Sequence, residues 1–162
     1  MEFFFAGLAE VDLYIEYVVV KLDTVDESLR SVENSILYNY FSWQSLKGPL
    51  TYFPAVRLVC DRRNREYHRL LKFDGYIEGQ AAITRAEKGR ANLDLEIRHY
   101  HWKSADEFSA AQRAEVQFGV RGIEAADFVC WAIKSRFENN DPRWLALIEK
   151  KIRRKQFLFF TP

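Results

Sequence analysis

An apolar segment interrupted by one carboxylate, residues 122–133, restricts the fold of this chain most strongly. Apolar residues recur in it at helical spacing and predict a helix with a buried stripe. The stripe consists of Ile123, Ala126, Cys130, Ile133 and Phe137. Phe128 and Trp131 make the other faces apolar as well, so Asp127 is expected to be buried. Because an isolated carboxylate in such a place costs several kcal/mol to desolvate, Asp127 needs a cation, a donor network or a metal as its partner.

A second carboxylate, Glu124, lies three residues before Asp127 on the same face of the predicted helix. Two neighbouring carboxylates increase the demand for a positive counter-charge. A bound cation would meet that demand. A structural salt bridge with an arginine of residues 62–69 would meet it equally well.

The bulk composition fits one compact domain spanning residues 1–162. Hydrophobic residues make up 48% and aromatic residues 15% of the chain, which argues against disorder. The formal net charge of +1 gives no overall field of the kind that marks many nucleic-acid binders. Cys60 and Cys130 lie in apolar segments and are expected to be reduced core thiols, and two cysteines cannot form a four-cysteine zinc site.

The chain contains no segment that we expect to enter a membrane. The first residues lack the basic start of a signal peptide, and Glu10 and Asp12 interrupt the apolar residues that follow. No stretch approaches the roughly 18 apolar residues that a membrane-spanning helix needs. We therefore expect a cytoplasmic protein that makes no membrane contact.

Strands and helices are predicted to alternate along the chain, which indicates an α/β fold with a layered sheet. Strands are predicted at residues 12–22, 54–61 and 93–102. Helices are predicted at residues 2–9, 27–46, 63–88, 105–118 and 122–138, and a last helix is predicted to begin at Asp141-Pro142. Residues 157–160 are expected to form either a closing strand or an apolar tail docked on the core.

Several finer expectations accompany these elements. Gly48-Pro49 should end the second helix, and Asp74-Gly75 is a candidate break in the third. The second helix should face the core with Leu29, Val32, Ile36 and Tyr40. The last helix should face it with Trp144, Ile148 and Ile152. The cations Lys150, Lys151, Arg153 and Arg154 should occupy the last turn of that helix, where the helix dipole favours positive charge.

Asp61 directly follows the apolar strand predicted at 54–61. Ligand sites of α/β proteins usually lie at the carboxyl ends of the strands, which makes Asp61 a candidate site residue. Asp is also a good helix cap, so Asp61 could instead begin the next helix.

His99 and His101 lie two residues apart on the strand predicted at 93–102, and residues two apart share one face of a strand. Two imidazoles on one face can bind a metal or transfer a proton. Two half-exposed histidines near a strand end are the structural alternative.

A basic segment follows Asp61. Its arginines are Arg62, Arg63, Arg65 and Arg69, and they could contact the phosphates of a nucleic acid. A solvated helix face explains the same residues. The chain has neither a glycine-rich phosphate loop nor a nucleophile elbow around a serine.

Four segments resemble a known family in the expected order. Residues 122–141 resemble the closing motif of the domain-of-unknown-function 3800 family, which reads roughly Gly-Leu-Gln-x-Ala-Asp followed by an apolar helix. The weaker matches are Val18-Val-Val-Lys21, Leu37-Tyr-Asn-Tyr40 and Leu58-Val-Cys-Asp-Arg62. The resemblance covers about residues 8–152.

The resemblance implies a ribonuclease-H-like three-layer fold, a mixed sheet with helices on both faces, here shortened at its N-terminal side. It also implies a metal-dependent phosphodiester hydrolase, because carboxylates of such proteins bind divalent metal ions for that reaction. On this chain the catalytic residues would be Asp61, Asp127 and Glu124. The ligands of Mg²⁺ or Mn²⁺ would be Asp61, Asp127 and His101.

This chain departs from the family pattern at two informative places. The strand that ends Asp-Glu-Ser-Gly, which would supply the first metal-binding carboxylate, has no counterpart here, and Glu124 stands where the family usually has Gln. These departures support a second hypothesis of a different class. The protein would then be a catalytically silent interaction module, such as a phage- or mobile-element-type inhibitor or accessory subunit. It would form a homodimer or bind a protein partner through an exposed sheet edge.

Overall fold

The computed structural model describes residues 2–27, 34–61, 67–100 and 110–158 of the chain. The predicted α/β class is confirmed. The helices are α1 (Glu2–Glu10), α2 (Asn34–Tyr52), α3 (Tyr67–Glu87), α4 (Ala110–Glu138) and α5 (Arg143–Leu147). The strands are β1 (Ile15–Val20), β2 (Ala55–Asp61), β3 (Asp94–Tyr100) and β4 (Ile152–Leu158). Short 3₁₀ turns occupy Leu22–Thr24 and Glu149–Lys151.

The chain divides into two compact units. The central unit comprises Val18–His99 and Gln156–Pro162, and the terminal unit comprises Met1–Tyr17 and Tyr100–Lys155. Each unit has buried apolar side chains of its own, and each is described by itself below.

Strands β2 and β3 form the sheet of the central unit, with helix α3 between them in sequence. Asp94 N donates to Pro54 O at 3.1 Å, and Arg57 pairs with Glu96, so the two strands run parallel. A helix that connects two parallel strands is the usual βαβ solution, because parallel strands cannot be joined by a tight turn. One face of this sheet packs on helices α2 and α3. The apolar residues that meet there are Trp43, Leu46, Leu50, Val56, Leu58, Cys60, Phe73, Tyr76, Ile77, Ala81, Leu93, Leu95 and Ile97.

Helix α2 continues through Pro49 to Tyr52, so the prediction that Gly48-Pro49 ends it is wrong. Proline removes one backbone donor from a helix and strains the preceding turn. Two tertiary contacts compensate. Leu50 is 1% exposed in the core, and the buried Arg85 side chain donates to the carbonyls of Leu50 and Thr51 at 3.3 and 3.1 Å.

The inner face of helix α2 also differs from the prediction. Ile36 and Tyr40 are 53% and 40% exposed, whereas Asn39 and Trp43 are buried. Leu29 and Val32 lie outside the described residues. The core-facing side is therefore rotated from the stripe that hydrophobicity alone indicated, because a buried Asn39 interrupts the apolar pattern.

Helix α3 runs without a break through Asp74-Gly75, so that candidate break is wrong. Phe73 and Ile77 lie on either side of these residues and are 6% and 0% exposed. Their burial holds the helix together where local propensity is weak.

Helices α1, α4 and α5 form most of the terminal unit, and aromatic rings of these helices pack against one another. Phe5 is fully buried and lies 5.9 Å from the Trp144 ring, measured between centroids. Trp144 in turn lies 5.7 Å from Trp131, and Phe4 lies 4.5 Å from Phe128. These separations are typical of favourable aromatic pairs.

Helix α4 is one helix from Ala110 to Glu138, whereas the sequence predicted two helices with a boundary near residues 119–121. Gly119 and Gly122 lower the helical propensity there without ending the helix. Residues 101–109, where the first of the two was predicted to begin, lie outside the described residues.

The chain after Asp141 differs from the predicted long helix. Helix α5 ends at Leu147, and the strand β4 already begins at Ile152. Residues 157 and 158 lie in this strand, as the closing-strand alternative predicted, although the strand starts earlier; residues 159 and 160 lie outside the described residues. Lys150 and Lys151 lie in a 3₁₀ turn, and Arg153 and Arg154 lie in β4 rather than in a last helical turn.

Strands β1 and β4 pair with each other in the second two-stranded sheet. Lys21 N donates to Leu158 O at 3.2 Å, just beyond the end of β1. Ile15 and Tyr17, two residues apart on β1, are both buried. Among the described residues, no helix combines the length and the apolarity that crossing a membrane requires.

Candidate functional site

Asp61 is the last residue of β2 and lies at the carboxyl end of the parallel pair. Its side chain is exposed. Because side chains alternate along a strand, Asp61 shares its sheet face with Arg57, on the side away from the packed helices. Residues 62–66 follow directly and lie outside the described residues, so the alternative of a helix cap stays a prediction.

Charged side chains on the same sheet face form a small network around Glu96. One carboxylate oxygen accepts from Arg57 Nε and the other from Arg98 Nε, each at 2.6 Å. The hydrogen bonds from Arg98, and then from Arg57, hold the pKa of Glu96 below its usual value. The network lies on the same sheet face as Asp61, and Arg57 precedes Asp61 by four residues on β2.

Asp127 and Glu124 are both exposed on helix α4, so the expectation of a buried Asp127 is wrong. The helix buries Val129, Ala132 and Ser135 instead of the predicted stripe. Asp127 precedes Val129 by two residues, which places it roughly 200° away around the helix. The desolvation argument for a cation at Asp127 therefore fails, and the two carboxylates are open to solvent.

The acidic candidates fall in different units. Asp61 belongs to the central unit, whereas Glu124 and Asp127 belong to the terminal unit. Within the described part of the chain, no group of three or more His, Cys, Asp or Glu side chains is arranged to hold a metal ion. The described residues alone therefore do not fit a complete Mg²⁺ or Mn²⁺ site.

The remaining candidate residues lie in the segments outside the described residues or directly beside them. Arg62, Arg63, Arg65 and His101 lie outside the described residues. Arg69 falls in the first turn of helix α3. Their predicted contacts with phosphate or metal stay predictions.

His99 occupies a setting that the sequence did not indicate. Its Nε2 lies 2.8 Å from Asp74 Oδ1, and the two side chains are 14% and 24% exposed. The imidazole stands edge-on to the Phe73 ring, with 6.2 Å between the centroids. Nδ1 is buried and has no hydrogen-bond partner among the described residues. The carboxylate of Asp74 therefore orients the imidazole and favours the proton on Nε2.

Cys60 lies on β2, on the sheet face that also carries His99 on β3. Burial, and then the negative charge of Asp74, raise the pKa of the Cys60 thiol to about 12. A thiol that stays protonated is a poor nucleophile, so Cys60 and His99 do not form an activated pair. The cluster of Cys60, Asp74 and His99 is a polar insertion in the core of the central unit.

Asp74 is the polar residue of this cluster that sequence reasoning missed. It was read as part of a helix break because Gly75 follows it. The position of Asp74 between Phe73 and Ile77 was the available signal, since a carboxylate beside two core positions of a helix needs a partner.

Two observations thus remain for a functional interpretation: an exposed carboxylate at the carboxyl end of β2, and two exposed carboxylates on α4. Comparison with known proteins adds no relative: no family model, no curated protein and no solved structure matches this chain.

Proposed function

We propose that this chain is a shortened ribonuclease-H-like domain that hydrolyses nucleic-acid phosphodiesters with the aid of Mg²⁺ or Mn²⁺. The observation that carries the proposal is the exposed Asp61 at the carboxyl end of the parallel β2–α3–β3 arrangement. That end of the strands is where α/β proteins place their ligands. The resemblance of residues 122–141 to the domain-of-unknown-function 3800 family adds Asp127 and Glu124 as the other acidic residues.

The three acidic residues of the proposal are exposed. Asp61, Glu124 and Asp127 keep their oxygens in solvent, where a hydrated divalent ion can reach them. A divalent ion held by carboxylates would supply an activated water and would stabilise the leaving oxygen. The side chains of this protein would hold the ion and position the phosphodiester.

A nuclease assay with fluorescent single-stranded and duplex DNA and RNA tests the proposal. We expect cleavage that depends on added Mg²⁺ or Mn²⁺ and stops with EDTA. Asp61→Asn and Asp127→Asn should each lower kcat by roughly 10²-fold or more, the scale of one lost catalytic group. Asp94→Asn is the matched control, because Asp94 is equally exposed but lies at the amino end of β3. Equal activity of Asp127→Asn and the unaltered protein would contradict the proposal.

A catalytically silent homodimer is the second candidate function. It is suggested by the small sheets, since β1–β4 and β2–β3 each contain two strands among the described residues. Open edges tend to pair with another chain. Light scattering on the same sample separates the candidates: a dimer without metal-stimulated cleavage indicates the silent module, whereas an inactive monomer contradicts both.

A further inference from the structure

The segment from Glu149 to Lys155 concentrates positive charge on the terminal unit. Its cations are Lys150, Lys151, Arg153, Arg154 and Lys155. Two carboxylates lie near these cations: Glu149 lies 3.4 Å from Lys155 Nζ, and Glu16 lies 3.9 Å from Arg154. Positive charge therefore exceeds negative charge locally, although the whole chain is almost neutral.

We propose that Lys150, Arg153 and Lys155, supported by Tyr14, form a basic strand surface that binds the phosphate backbone of a single-stranded nucleic acid. All four residues are exposed. Lys151 is left out because its Nζ donates to Val11 O at 2.7 Å, and Arg154 because it is turned towards Glu16. The inference rests on the proposed function, since it assigns the surface that would hold the substrate.

Among the cations of this surface, Arg153 has the position best suited to bind a phosphate. Its guanidinium carbon lies 3.0 Å from the centre of the Tyr14 ring, which is itself 57% exposed. A guanidinium stacked on a ring is fixed in orientation, while its N–H donors point outward in its own plane. That arrangement suits two parallel hydrogen bonds to a phosphate.

The spacing of the surface fits a nucleic-acid strand. Arg153 and Lys155 are two residues apart on β4 and therefore project to the same side, about 6.7 Å apart along the strand. Each nucleotide of a strand carries one negative charge, so two cations this close together on one side of β4 can contact the backbone of the same strand. The exposed pair between Lys155 and Glu149 is weak enough for a phosphate to replace the carboxylate.

A lipid membrane fits this surface less well. Firm binding to a membrane surface usually combines basic residues with inserted apolar side chains or a lipid anchor. Here the intervening strand positions, Ile152 and Arg154, are turned inward and half-buried. The residue between Arg153 and Lys155 is thus another cation rather than an apolar side chain that could insert into a membrane.

Fluorescence anisotropy with a labelled 20-nucleotide DNA strand and the corresponding RNA strand tests the inference. The measurement is made in EDTA, so that binding is separated from hydrolysis and either can fail alone. We expect binding that weakens as salt increases. The double variant Arg153→Gln/Lys155→Gln should bind roughly tenfold more weakly per lost charge at 50 mM salt. In a plot of log K against the logarithm of the salt concentration, the slope for this variant should be shallower by about 1.4.

Two further variants make the outcome specific. Lys134→Gln removes a charge from exposed helix α4 in the same unit and should leave binding within twofold. Arg153→Lys keeps the charge but loses the stacked guanidinium, and should bind more weakly without a change in slope. Equal losses in Lys134→Gln and the double variant would overturn the inference. No binding at 50 mM salt, or binding to phosphatidylserine vesicles but to neither nucleic acid, would also overturn it.

Discussion

Arg85 is a buried cation whose described partners are all backbone carbonyls. It is 5% exposed, and its guanidinium donates to Ala91 O at 2.7 Å and Phe53 O at 2.8 Å, as well as to two carbonyls at the end of helix α2. The negative end of the α2 dipole lies there, which favours a cation. One side chain thus joins the end of α2, the start of β2 and the turn after α3.

We therefore expect Arg85→Met to lower the free energy of unfolding by about 2–4 kcal/mol, because it leaves several buried carbonyls without a donor. Arg90→Met is the control, since Arg90 is exposed and only stacks at 4.9 Å on the Tyr52 ring. Urea unfolding of both variants checks this. If both variants lower the free energy of unfolding by the same amount, the hydrogen bonds of Arg85 to these carbonyls do not stabilise the fold.

The raised pKa of Cys60, about 12, gives a chemical prediction at the same scale. At pH 8 the buried thiol should react with iodoacetamide roughly three orders of magnitude more slowly than an ordinary thiol, because its thiolate fraction is that much smaller. The Cys130→Ser variant leaves Cys60 as the single thiol, so mass spectrometry of that variant measures its rate. A rate at pH 8 like that of free cysteine would contradict the assigned burial.

The raised pKa of the Cys60 thiol also determines how the stability of the fold changes with pH. The unfolded chain loses the Cys60 proton near the usual thiol value, whereas the folded chain keeps it to about pH 12. The contribution of the thiol is therefore complete below the unfolded pKa and is lost as pH rises towards 12. Burial raises the pKa values of Tyr17 and Tyr76 in the same direction.

At the scale of elements, helix α3 illustrates how one face is fixed by packing. Ile77 is 0% exposed against the sheet, whereas Ile83 on the same helix is 55% exposed. Ile77→Ala should cost about 2–5 kcal/mol, since it removes buried methylene groups and leaves a cavity.

Ile83→Ala provides the matched control for that prediction. It changes the same atoms on an exposed face and should alter the free energy of unfolding by about 1 kcal/mol or less. Chemical denaturation followed by circular dichroism compares the two variants. Similar denaturation midpoints for the two variants would mean that burial of this face of α3 does not stabilise the fold.

Periodicity predicted the existence of these elements better than their faces. The strand predicted at 12–22 contains β1, where Ile15 and Tyr17 are buried on one face. Helix α4 was misread because its aromatic residues appeared to make every side apolar. Phe128 and Trp131 are 38% and 40% exposed, and large rings can cover one side of a helix while their rims stay in solvent.

At the scale of the whole molecule, the α/β class followed from the order of strands and helices, but the site did not. Sequence placed Asp61 correctly at the carboxyl end of a strand. It could not place Asp127, because the apolar neighbours of Asp127 indicate burial, whereas its exposure depends on which face of α4 the rest of the unit covers. Asp74 and His99 were missed as a pair because residues far apart in sequence meet only after α3 packs on the sheet.

The pairing of β1 with β4 also has a consequence for biosynthesis. These two strands come from opposite ends of the described chain, so β1 leaves the ribosome long before its neighbour exists. At typical elongation rates the delay is on the order of ten seconds, much longer than local helices need to form. During that interval β1 lacks the strand with which it pairs in the folded chain, so its pairing can form only near the end of synthesis.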